Sequence, residues 1–266
     1  MIRDITLGQY FPGESILHRL DPRLKIVVTL AYIVLLFVVK EWIGFAACFA
    51  FLAMAVALSK VPLSFILRGL KVIFIIILFT FVLNLFMYDG TVLVRIWKLT
   101  ITDQGLYRAL FMAGRLILLI ISSSLLTLTT TPIQLTNGLE RLMKPLSKIG
   151  VPSHEIAMMM SIALRFIPTL LDETDKIMKA QQARGADFET GNILHRAKQM
   201  IPILVPLFIS AFRIAQDMAL AMEARCYRGG EGRTSMNEMR FRKRDYIAAG
   251  ILLLFAGGII ALRILV

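Results

Sequence analysis

The chain has 266 residues, 57% of them hydrophobic and only 18% charged, with a mean hydropathy of +0.72. Soluble domains run nearer 45–50% apolar and about 25% charged, so this balance rules out disorder and argues against a soluble globular enzyme. Thirty Lys and Arg stand against 18 Asp and Glu; in so apolar a chain this excess reads as the positive-inside rule rather than as nucleic-acid binding.

Asp21-Pro22 is an N-cap followed by proline at the first helical position, so a helix starts there. Apolar runs follow at Ile26–Val39, Ile43–Leu58, Val72–Met87, Ala109–Leu128 and Ile247–Leu262. Several fall short of the roughly 18–20 residues of a full span. Flanking Leu24 and Lys25, and Lys71, extend them by snorkelling. The first run is no cleaved signal peptide, because it starts late and more spans follow. The expected fold class is therefore all-α: a polytopic membrane protein of about five transmembrane helices plus a cytoplasmic domain of long helices. Residues 1–130 hold about four spans, 131–245 the cytoplasmic helices and 246–266 the last span. Cys48, in an apolar run, and Cys226, in a polar region, are too few for a disulfide framework or zinc site.

Counting Lys and Arg sets the orientation. Twenty-four, including Arg3, Arg19, Arg23, Lys25 and the cluster Arg240, Arg242, Lys243, Arg244, fall on the side of the N-terminus; Lys40, Arg95, Lys98 and Arg263 fall on the other. The expectation is N-terminus and long helical segment inside, C-terminus outside. The fourth run carries Ser122, Ser123, Ser124, Thr127, Thr129, Thr130 and Thr131. Small hydroxyl residues suit close helix packing in lipid; a polar conduction path is the sharper alternative.

The segment 131–245 is too long for a loop and too apolar for a solvated linker. Thr131-Pro132 opens a helix with a stripe at Leu135, Leu139, Leu142, Leu146 and Ile149. Pro145 kinks it and Gly150-Val151-Pro152 ends it. A second helix runs from Ser153 to Arg184, bent at Pro168, and opens on Met158, Met159 and Met160. Methionines fill cores but also recur at promiscuous binding surfaces. A third runs from about Pro206 to Arg228; Ile201–Phe212, broken by Pro202 and Pro206, does not count as a span. Both long helices end alike, on Ala180-Gln181-Gln182-Ala183-Arg184-Gly185 and Ala221-Met222-Glu223-Ala224-Arg225-Cys226, 41 residues apart. An arginine at a helix C-terminus is favoured by the dipole. Two matched copies point further, to paired knobs whose guanidinium forks bind a partner's carboxylates.

At these residues the sequence resembles the T component, EcfT, of energy-coupling factor (ECF) transporters, over nearly its whole length. The resemblance rests on Gly8-Gln9-Tyr10-Phe11-Pro12-Gly13, Ser15 and Leu17-His18-Arg19-Leu20-Asp21-Pro22-Arg23 with Lys25, then on Pro145-Leu146, Gly150-Val151-Pro152 and Ala163-Leu164-Arg165-Phe166-Ile167-Pro168. It closes on the triplets Ala183-Arg184-Gly185 and Ala224-Arg225-Cys226, where Cys226 departs from the more usual glycine, serine or alanine. It implies a non-catalytic coupling subunit in a prokaryotic plasma membrane, serving vitamin or micronutrient uptake. Two ABC-type ATPases would dock on the two triplets, and a membrane-embedded S component would bind the substrate. ATP and Mg would belong to the ATPases; this chain would hold no cofactor, metal or nucleic acid. Met158, Met159, Met160, Leu139 and Leu142 are candidates for the S-component surface.

Other classes fit less well. His154-Glu155-Ile156-Ala157-Met158 misses the second histidine of an H-E-x-x-H metalloprotease. Asp172, Glu173 and Asp175 sit beside Lys176 and Lys179, as on a solvated face. No P-loop pattern is present in the sequence. A conventional ABC permease would show one coupling loop, which Glu223-Ala224-Arg225 only loosely resembles. A receptor or scaffold whose helices bind soluble partners without ATP is compatible with composition.

Overall fold

The computed structural model describes residues 10–87, 91–96, 99–186, 193–229 and 239–265. Arg3, Gly8, Gln9, Lys98 and Gly230 lie outside the described residues. Helices α1 (Pro22–Val38), α2 (Trp42–Ser59) and α3 (Leu63–Met87) come first. A short antiparallel hairpin follows, β1 (Val92–Ile96) paired with β2 (Leu99–Thr102). Then come α4 (Asp103–Thr129), α5 (Pro132–Met143), a 3-10 segment (Lys144–Ile149), α6 (Ser153–Ala183), α7 (Ile193–Ala224) and α8 (Lys243–Leu265). The all-helical polytopic class holds, with the hairpin as its one addition among the described residues. Val92, Val94, Ile96, Thr100, Ile101 and Thr102 give that stretch strand propensity.

Among the described residues five helices are long and apolar enough to cross a bilayer: α2, α4, α6, Met200–Ala224 of α7, and Lys243–Ile264 of α8. The number matches the sequence reading, but the set differs. At 17 residues, α1 is short. The arms of α3, Leu63–Lys71 and Ile73–Met87, meet at 61° and add a sixth span only if counted together. The stretch around Ile201–Phe212, read as broken, is continuous helix through Pro202 and Pro206. Proline removes one amide donor from a ladder, and a helix of 32 residues keeps its remaining bonds.

The chain divides into two compact units, one from residues 8–139 with 239–266, the other from 140–238. The first is built on α1 and α4. Its core holds Tyr32, Leu35, Leu36, Cys48, Leu52, Phe111, Leu118, Leu125 and Ile259. Tyr32 donates its phenol proton to the Cys48 carbonyl at 3.0 Å. Helices α1 and α4 lie antiparallel and cap each other. Lys25 Nζ, near the start of α1, donates to Thr129 O at the end of α4 (2.9 Å) and to Thr130 Oγ1 (3.3 Å). Arg115 of α4 donates to Val39 O at the end of α1 (2.8 Å). Each cation thus meets the negative end of its partner's dipole. The snorkelling expected of Lys25 is overturned: the side chain is buried and bonded to carbonyls. The hydroxyls of α4 bond back to their own helix, Ser122 to Leu119 O, Thr127 to Ser124 O and Thr129 to Leu125 O. That geometry favours packing over a conduction path.

The caps were readable in sequence. Asp21 caps α1 by accepting the Arg23 amide at 2.9 Å. Thr131 and Gln134 exchange bonds at the start of α5, forming a capping box. The partner of α1 was not readable. Asp245, on the first turn of α8, accepts the Asp21 amide through Oδ1 (2.9 Å) and the Arg242 amide through Oδ2 (2.7 Å). One buried carboxylate therefore closes the starts of the first and last helices. Arg23 completes the tie, donating to Asp21 Oδ2 (2.8 Å) and Met239 O (2.9 Å) and lying 4.3 Å from the centre of the Phe241 ring. Burial alone would raise the Asp21 carboxyl, but the side-chain and backbone donors of Arg23 outweigh it and hold it below the usual range.

The motif residues ahead of α1 brace this end. Phe11 donates its amide to Leu128 O at 2.9 Å. His18 Nε2 donates to Phe11 O (3.0 Å), and Ser15 Oγ donates to Nδ1 (2.6 Å). Burial, reinforced by the Lys25 charge and partly opposed by the bond to Phe11, lowers the imidazole pKa and keeps it neutral at pH 7. Helices α3 and α4 approach closely at Gly105, where an added Cβ would lie 2.6 Å from Leu85 O. Gly105→Ala is expected to cost about 1–3 kcal/mol by forcing these helices apart, seen as a lower thermal midpoint of the purified chain. An unchanged midpoint would refute the close approach.

Candidate coupling site

The second unit carries the two arginine-tipped ends, and both close by one hydrogen-bond pattern. At α6 the Ala186 amide reaches Gln181 O (3.0 Å) and the Gly185 amide Gln182 O (2.9 Å). At α7 the Tyr227 amide reaches Met222 O (3.0 Å) and the Cys226 amide Glu223 O (2.8 Å). This is the Schellman motif, which turns the chain through a left-handed residue. That residue is Gly185 at φ +88° and Cys226 at φ +56°. The small residue after each arginine is thus explained by backbone. Nothing lies within 4 Å of a Cβ at Gly185, so a substitution there meets only conformational strain. Gly185→Ala should cost ~1 kcal/mol and Cys226→Gly should gain about as much, read as opposite shifts in thermal midpoint. Shifts of the same sign would refute the shared cap.

The cap fixes each arginine at the last turn. Arg184 and Arg225 are exposed, and neither guanidinium has an ion pair or hydrogen bond among the described residues. Helices α6 and α7 run antiparallel. Near the end of α6, Gln181 Nε2 lies 3.5 Å from Pro202 O of α7. Near its start, Met158 Sδ receives the Tyr227 hydroxyl at 3.1 Å. The two arginines therefore stand at opposite ends of the pair. From Met158 to Arg184 is 26 residues, which at about 1.5 Å each spans ~39 Å of helix. Beside Arg225 lies a groove of about 400 Å³ lined by Met158, Ile162, Met218, Met222 and Tyr227.

Residues 13–236 match the model of the CbiQ family, described as a cobalt transport protein. A Clostridium kluyveri protein is 60% identical over 252 residues, covering 94% of this chain and 93% of its own length. One from Thermosediminibacter oceani is 57% identical over 254 residues, covering 94% and 96%. A Bacillus subtilis protein is 44% identical over 264 residues, covering 99% and 100%. Each is named energy-coupling factor transporter transmembrane protein EcfT. The chain belongs to the EcfT family. EcfT proteins are transmembrane components of ECF transporters, so this chain is a multi-pass transporter subunit and not an enzyme.

Within this EcfT chain the five residues named as candidates for the S-component surface differ in exposure. Met158 faces the groove beside Arg225. Met159 and Met160 are exposed, while Leu139 and Leu142 of α5 are half-buried. The sequence reading missed Tyr227, and it missed the pairing of Met158 and Ile162 with Met218 and Met222. It also discounted an apolar face of the unit. Met200, Ile201, Leu204, Val205, Phe208, Ile209 and Phe212 form an exposed stripe along α7, with Phe212 at 67% exposure. The steps of three and four residues were visible, but the prolines obscured them. His154 binds Glu140 Oε1 at 2.9 Å through Nδ1, and Glu173 pairs with Lys176 at 3.6 Å. A hydrogen bond accounts for the first of these near-motifs and a surface ion pair for the second.

Proposed function

We propose that this chain transmits ATP-driven motion from two ABC-type ATPases to a substrate-binding S component, for uptake of a vitamin or other micronutrient. The observation that carries the reading is the pair of identically capped, solvent-exposed arginines at opposite ends of α6 and α7. A guanidinium fork matches a carboxylate in geometry and charge. A separation of ~39 Å along α6 suits two separate acidic sites better than one. ATP and Mg act in the ATPases; closing and opening of that pair shifts the two helix ends. The adjacent methionine-rich groove admits an apolar side chain of the partner next to Arg225. The exposed stripe of α7, with Met159 and Met160, offers apolar surface for the S component, since contiguous exposed apolar surface marks a membrane or protein contact. The Lys and Arg distribution favours a cytoplasmic N-terminus and α6–α7 unit, with the C-terminus outside. The S component selects the cargo.

Affinity purification of the tagged chain from gently solubilised native membranes tests the reading. Two ATPase chains and at least one small membrane protein are the expected companions by mass spectrometry. Absence of any ATPase, even after cross-linking before extraction, would refute it.

A further inference from the structure

The first unit contains an apolar groove of about 180 Å³ between α1, α2, α4 and α8. Tyr32, Leu52 and Leu125 form its buried floor, and Met54, Leu58 and Ile251 its exposed rim. All four helices coincide with apolar runs, so the rim meets acyl chains rather than water. An apolar cavity of about 150 Å³ stays dry and accepts a six-carbon ring, so this groove has room for roughly six methylenes of a lipid tail.

The groove has one polar end, at Lys25 and Thr129, where α8 begins. Lys25 is engaged there by carbonyl and hydroxyl oxygens and is not available to a ligand. Arg244 is. It precedes Ala248 by four residues and Ile251 by seven, and both line the groove, so all three share one helix face. Side chains lean toward a helix N-terminus, which carries Arg244 from the groove toward the headgroup layer. Arg244 is exposed, its guanidinium has no bonded partner among the described residues, and exposed Arg242 and Lys243 flank it.

We propose that the groove holds one acyl chain of an anionic phospholipid whose phosphate rests on Arg244. Basic side chains at the interface favour anionic over neutral headgroups. The apolar groove supplies retention and the arginine supplies headgroup choice, so the two contributions separate by mutation.

The test uses the full-length chain with the subunits it retains, exchanged in detergent into dioleoyl phosphatidylglycerol or phosphatidylcholine. Lipid retained is counted by native mass spectrometry. Wild type is expected to keep phosphatidylglycerol about fivefold better, the worth of one basic side chain at a headgroup. Arg244→Gln should remove that preference while lipid is still retained. Ala55→Phe, which fills the groove, should lower retention of both lipids. If Ala55→Phe does not fold, as judged by gel filtration, Ala248→Leu narrows the groove from α8 and should have the same effect. Equal retention of the two lipids by wild type, or undiminished retention by a folded groove-filling variant, overturns the proposal. Thermal stabilisation by inorganic phosphate with none by lipid also overturns it.

Discussion

With Arg184→Ala and Arg225→Ala combined, transport is expected to vanish while the chain still inserts and folds. Both side chains are exposed and, among the described residues, take part in no hydrogen bond, so their loss leaves the caps intact. Their value arises on docking. Removing one partner of a buried charge pair costs about 2–5 kcal/mol. Two such losses weaken docking by at least about a thousandfold, since each 1.4 kcal/mol is roughly tenfold. The ends are far enough apart for the single variants to act additively. Lysine at either position should restore only part of the loss, because it keeps the charge but not the fork. Transport is measured in reconstituted vesicles and docking by co-purified ATPase. Equal loss of membrane insertion would sink the docking role, as would full transport by the double variant.

For stability, the largest single-site loss is expected at Asp245. Its side chain is the acceptor for two amides that begin two different helices, and the residue is only 4% exposed. Hydrogen bonds to charged groups are worth about 1.5–3 kcal/mol each, so Asp245→Ala should cost about 3–5 kcal/mol. Asp245→Asn keeps one acceptor oxygen and turns an amide nitrogen toward the other donor, so it should recover about half. The comparison is Glu14→Ala. Glu14 pairs with Arg19 at 2.8 Å in the open, and exposed pairs contribute roughly 0–1 kcal/mol. Thermal unfolding in detergent orders the three variants. If Asp245→Ala unfolds with wild type, the shared carboxylate does not hold the helix starts together.

What was legible in the sequence was local. Asp21-Pro22 and Thr131-Pro132 announced their helices because a cap needs only the next three residues. The matched arginine ends were visible as strings, and the structure supplied their cause, a left-handed turn that favours glycine and admits Cys226. What stayed hidden depended on distant partners. Lys25 looked like a flank residue because nothing nearby reveals that the end of α4 lies beside it. Likewise, nothing near Arg115 in the sequence reveals that Val39 O lies against it. In α7, local chemistry misled: Pro202 and Pro206 spelled a break, while the surrounding apolar residues kept one helix. The motif ahead of α1 carried recognition without explanation. Its histidine, serine and aspartate brace one end of the first unit.

The tie between α1 and α8 also constrains biogenesis. The Asp21 amide waits for a carboxylate 224 positions later, and Arg23 for a carbonyl 216 positions later. A ribosome delivers α1 to the bilayer first, yet the start of that helix is finished only after α8 has emerged. Until α8 arrives, the Asp21 amide and Arg23 lack these two acceptors. Closure of this end of the first unit therefore waits for α8, and a chain truncated before residue 239 is expected to lack the tie.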